Sequence, residues 1–135
     1  MTKLLLLSAV LFVGCAKAND LSRMEDEAIA IAAEYQPTVH ELEARANELL
    51  KVSLAPDASS KLRDAKVQIA SLKGLIAGTN RIELDRIAAS GDSEAIQQRT
   101  DNVEHNLREG IIVATDQLEA VENWIAVAER TSPNP

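Results

Sequence analysis

"LREGIIVATDQLEAVENWIAVAER", residues 107–130, decides the fold. Leu107, Ile111, Ala114, Leu118, Val121, Ile125 and Ala128 follow one another at alternating steps of four and three. That spacing places all seven on one stripe of an α-helix for three heptads, a seam that neighbouring helices must cover. The outer face carries Glu104, Glu109, Asp116, Glu119 and Glu122 and reads as solvated. Gly110 costs about 1 kcal/mol relative to alanine inside a helix. It therefore either permits close helix approach or is incidental.

The same periodicity recurs upstream. Ala58, Leu62, Ala65, Ile69, Leu72 and Ile76 make a second stripe, bounded by the turn "APDASS" (55–60), where Pro56 stops one helix and Asp57 starts another. "ASGDSE" (89–94) is a second turn, with Gly91 ending a helix and Asp92 or Ser93 opening the last one. Between them, "AGTNRIE" (77–83) has two readings. Gly78 as a C-cap and Asn80 as an N-cap with Glu83 three residues on would break the helix, whereas Ile82, Leu84 and Ile87 could continue it.

Near the start, Asn19 or Asp20 can cap a helix whose stripe is Leu21, Met24, Ala28, Ile31 and Tyr35. Pro37 predicts a kink or break near Gln36, because an interior proline costs about 3 kcal/mol. The following "TVHE" fits a capping box of Thr38 and Glu41 that opens a stripe of Val39, Leu42, Ala46, Leu49 and Val52.

No strand-like alternation appears, so the fold class is all-α. The expected architecture is an elongated antiparallel helical bundle over residues 20–131, with three long arms of about 45–55 Å each. The arms become four or five helices if Pro37 and Gly78 both interrupt. "TSPNP" ends the last helix, and residues 132–135 read as a disordered tail.

The other informative stretch is "LLLLSAVLFVGCAKAND", residues 4–20, which holds Cys15, the chain's single cysteine. One basic residue, Lys3, precedes an apolar run from Leu4 to Val13, about half the length needed to cross a bilayer. "FVGC" (12–15) resembles the lipobox of bacterial lipoproteins, with Phe12 where leucine is usual. The resemblance covers residues 1–15 and implies a signal peptide, residues 1–14, cleaved between Gly14 and Cys15. It further implies a diacylglyceryl group on the Cys15 sulfur, a short linker over 15–19, and attachment to an envelope membrane. Ala16, rather than the aspartate of many inner-membrane lipoproteins, implies the outer membrane, facing the periplasm. The alternative is an uncleaved N-terminal helix that happens to carry one cysteine.

Composition narrows the partners. The chain's net charge is −7; loss of Lys3 with the signal peptide leaves thirteen basic against twenty-one acidic residues, or −8. Nucleic acid needs a basic surface, so it is not an expected partner. Beyond Phe12 the aromatics are Tyr35 and Trp124, too few for sugar platforms or base-stacking surfaces.

No catalytic constellation and no cofactor motif emerges. His40 and His105 lack the Glu-x-x-His spacing of di-iron bundles, and no His-Glu-x-x-His zinc motif is present. His105 with Asp101 and Glu109, or His40 with Glu43, offers at most a weak divalent-ion site, and exposed histidines among acids are common on solvated helices. "NDLSRM" (19–24) is similar to the start of periplasmic b-type four-helix cytochromes, which would make Met24 a haem ligand. The histidine that family needs near the end of the last helix is missing, so Met24 reads as core.

Trp124 either covers the bundle's edge or anchors a partner, with Glu119 and Glu122 beside it as candidate contacts. These features point to a non-enzymatic lipoprotein whose bundle binds or scaffolds a protein in the cell envelope, with homo-oligomerisation through surplus heptads. Two alternatives stand beside it: an inhibitor, immunity or entry-exclusion lipoprotein, and a periplasmic metal- or ligand-binding helical protein.

Overall fold

The computed structural model describes the backbone of residues 2–90 and 93–131, and side chains from Asp20 onward. The Cys15 side chain, the Gly91–Asp92 turn residues and the 132–135 tail lie outside what it describes, whereas the backbone across Gly14–Cys15 and the expected 15–19 linker is helical and runs on without a new start at Asn19 or Asp20. The chain is an all-α bundle of four helices: α1 (Thr2–Leu49), α2 (Pro56–Gly78), α3 (Arg81–Ala88) and α4 (Ser93–Thr131). Among the described residues, no helix is long and apolar enough to cross a membrane.

Helix α1 does not break at Pro37. Its core-facing seam is Glu25, Ala28, Ala32, Tyr35, Val39, Leu42, Ala46 and Leu49, an unbroken alternation of three and four across the proline. Pro37 itself sits on the exposed side. Ending the helix there would throw two in-phase halves of one seam out of register, a larger loss than one backbone hydrogen bond. The expected capping box is therefore not formed, and Thr38 and Glu41 are exposed mid-helix residues. Val52 also departs from expectation. It lies beyond the helix end, 43% exposed, in a turn where its N–H reaches back to the Leu49 carbonyl at 3.2 Å.

Pro56 is the first residue of α2 rather than the stop of α1. A first-turn N–H has no intrahelical partner, so proline loses nothing at that position. The α2 seam is the expected one, with Ala58, Leu62, Ala65, Ile69 and Leu72 buried. At its end the breaking alternative prevails. The Thr79 hydroxyl donates to the Leu75 carbonyl at 2.8 Å, and the Asn80 side chain accepts from the Glu83 N–H at 3.0 Å, capping α3. Ile82, which a continuous helix would have used for packing, is 82% exposed, while Leu84 is buried.

Helix α4 packs against all three others. Its buried seam starts about three turns earlier than the clearest sequence pattern, at Ile96, Thr100 and Val103, and continues through Leu107, Gly110, Ala114, Leu118 and Val121. Ile111 and Ile125 are partly buried against the same core. Thr100 is tolerated inside because its hydroxyl donates to the Ile96 carbonyl at 2.9 Å. At Gly110 the α4 backbone lies close against α2. A Cβ there would stand 2.5 Å from Leu72 Cδ2 and 2.8 Å from Gln68 Nε2.

Side-chain pairs show the directions of the arms. Glu43 accepts from Lys73 at 2.6 Å and Glu25 from Arg81, so numbers rise on one arm as they fall on the other and α1 runs antiparallel to the second arm; Tyr35 faces Arg108 and Arg45 pairs with Glu122, so α1 and α4 run parallel. Arg81, opening α3, clamps α1 with two bonds: Nη1 donates to Glu25 Oε2 at 2.7 Å and Nη2 to Asp26.

Candidate functional site

Among the described residues, concave surfaces that could hold another molecule include the following two. The first is the groove between α1 and α2. Antiparallel helices whose facing residues are small leave a furrow between them, and here Ala33, Ala46, Ala70, Ala77 and Pro37 line it together with Val39, Ile69 and Ile76. A recess of about 610 Å³ is lined by Ala33, Gln36, Pro37, His40, Ile76 and Ala77, among others. A second recess of about 350 Å³ continues it past Ala46, Asn47, Lys66, Ile69 and Ala70. Glu43 and Lys73 line both recesses and bridge the groove between them. The hydrogen bond from Lys73 lowers the Glu43 carboxyl's pKa from its usual value; burial opposes it, and the charges of Lys73 and His40 add to the lowering. His40, exposed on α1, stands at this rim.

The second surface is a depression of about 370 Å³ where the start of α2 meets the end of α4. Asp57, Ser60, Lys61 and Asp64 form one wall, and Ala120, Val121 and Trp124 the other. Trp124 is half-buried, its ring lying along the α2–α4 edge. Glu119, on the outward side of α4, is exposed. Glu122 faces inward enough to accept from Arg45, so it belongs to the α1–α4 contact as well as to the surface near Trp124. The three residues singled out in the sequence therefore do not converge on one spot.

His105 is exposed on α4, and Asp101, its neighbour one turn back, accepts from Gln97 at 3.0 Å. Among the described residues, no group of three or more histidine, cysteine or carboxylate side chains is gathered as a metal ion would need. On α4, Arg108 donates to Glu104 at 2.8 Å and faces Tyr35 of α1; Tyr35 first, and Glu104 after it, raise its already high pKa.

Sequence reasoning missed the Glu25–Arg81–Asp26 clamp. Glu25 is 4% exposed, a carboxylate on the core seam three residues before Ala28. Its phase on that seam was a visible signal; its partner, 56 residues away, was not. What these surfaces can do chemically is grip: short aliphatic floors with ionic rims suit side chains of a docking protein. No family model matches the chain, and no curated protein or solved structure is significantly similar to it.

Proposed function

We propose that this chain is a lipid-anchored protein of the bacterial cell envelope, placed at the outer membrane facing the periplasm, whose helical bundle is a non-enzymatic binding or scaffolding module. The observation that carries this reading is Val13-Gly14-Cys15 at the end of a short apolar run behind Lys3. Each buried methylene of an attached chain contributes about 0.8 kcal/mol, and two or more chains hold a protein firmly at a membrane. The bundle supplies a stiff body on that tether, and the α1–α2 groove supplies a surface for a partner.

The test is metabolic labelling of the full chain with radioactive palmitate in a bacterial host. Label is expected on the wild type and none on Cys15→Ser, which should also leave the membrane fraction. A wild-type chain that carries no label refutes the anchor. Cross-linking in intact envelopes should then recover one defined protein; recovery of background alone refutes the scaffold.

A further inference from the structure

We propose that a second copy of this chain docks the outward stripe of its α4 onto the outward face of α2, so that copies associate head to tail. This goes beyond the membrane-tethered reading and does not rest on it.

Charge is segregated within the bundle. Helix α2 carries four basic and two acidic residues, net +2, in a chain of net −7. Helix α4 carries three basic and eight acidic residues, net −5. On the side of α2 away from the core, Arg63, Val67, Ala70, Gly74 and Ala77 recur at steps of four and three, and all are exposed, Val67 by 64%. A Cβ at Gly74 would meet nothing within 4 Å, so another helix can approach this backbone closely. Lys66 flanks the stripe and, with Ala70, borders the smaller α1–α2 recess, which can receive a protruding side chain. Among the described residues, neither Arg63 nor Lys66 has an ion-pair partner.

The outward side of α4 mirrors these properties. Glu109, Ile112, Asp116, Glu119 and Val127 are exposed along one stripe, with the half-exposed aliphatics Ile112 between the acids and Val127 beyond them. Among the described residues, Asp116 and Glu119 also lack ion-pair partners. Each face therefore offers aliphatic contact and unpaired charge, and the two signs are opposite. At 1.5 Å per residue, the stripes run about 21 Å and 27 Å, so the α2 stripe fits within the length of the α4 stripe. Because the two faces are different, one copy cannot satisfy both in a closed pair, and each contact leaves a free face at either end.

Sedimentation of the full chain in nonionic detergent tests this, using Arg63→Glu/Lys66→Glu, Asp116→Lys/Glu119→Lys and the chain carrying all four substitutions. All replace exposed side chains, and circular dichroism checks that helicity is kept. The wild type should form concentration-dependent assemblies larger than a dimer at low salt and lose them at high salt. Either double reversal alone should weaken association by roughly tenfold or more, and the fourfold exchange should restore it. A wild type that stays monomeric at low salt overturns the proposal. So does association indifferent to both reversals, or sensitive to only one of them, since a contact between these two faces must weaken when either is reversed. Failure of the fourfold exchange to restore assembly overturns it too.

Discussion

Replacing Gly110 by alanine should destabilise the bundle, although alanine is the better helix former. Intrinsic propensity favours the change by about 1 kcal/mol. Against it stands the contact with α2, where the new methyl would lie 2.5 Å from Leu72 Cδ2 and 2.8 Å from Gln68 Nε2. The Gln68 amide is the end of a long, half-buried side chain and can swing away. Leu72 is 2% exposed and held on all sides, and its branch point, Cγ, is itself only 3.3 Å from the added methyl. Rotating the terminal methyls therefore leaves strain, and α2 and α4 must move apart. Overpacking of this kind costs about 1–3 kcal/mol, so the net loss is up to about 2 kcal/mol, a fall in melting temperature of order 5 °C. Gly74→Ala is the internal control, since it meets nothing and should stabilise by roughly 0.5–1 kcal/mol. Urea unfolding followed by far-UV circular dichroism measures both. Adding Leu72→Ala to Gly110→Ala should give a smaller loss than the two single losses summed, because the smaller side chain removes the clash. If Gly110→Ala and Gly74→Ala shift stability in the same direction, α4 does not press on Leu72 at Gly110.

Arg81→Leu strands the buried Glu25 carboxylate, so it should lower the urea midpoint, and adding Glu25→Leu should recover most of the loss; no recovery would mean that Arg81 acts elsewhere. Because Lys73 lowers the Glu43 pKa, that pair stabilises the fold above the ordinary carboxylate value of 4.5 and stops doing so as pH falls below it through the lowered one. Glu43→Gln should accordingly flatten that acid limb of the stability–pH curve, and an unchanged limb would refute the assignment. Asn80→Ala removes the α3 cap and should cost about 1 kcal/mol. Hydrogen exchange should place the loss in 81–88 and spare α2, and uniform loss across both would contradict a separate α3.

The all-α class and the seam of α2 were legible because a heptad pattern leaves little freedom: Ala58 to Leu72 is buried as its spacing demands. In α1 the larger side chains misled. Met24 and Ile31 look like core, yet the buried phase runs through Glu25, Ala28 and Ala32, which only a view spanning Pro37 reveals. A proline penalty is local, whereas the register it would break extends over twenty-five residues, from Glu25 to Leu49. The first third of α4 was missed because Thr100 interrupts the apolar pattern, although its hydroxyl is satisfied within its own helix. The grooves and the Arg81 clamp depend on which helices become neighbours, and no local pattern encodes that. Trp124 was visible as unusual, but its place beside Asp57 and Asp64 emerges only when α2 folds back along α4.

The junction at Thr79–Asn80 splits the second arm into two levers with separate latches. The long lever is locked along its whole length by aliphatic packing, while the short one hangs on Leu84 and a guanidinium that sits partly in water. Thermal or mechanical stress should lift the short lever first and uncover Ala28 and its neighbours. One end of the molecule can thus breathe while the middle stays shut.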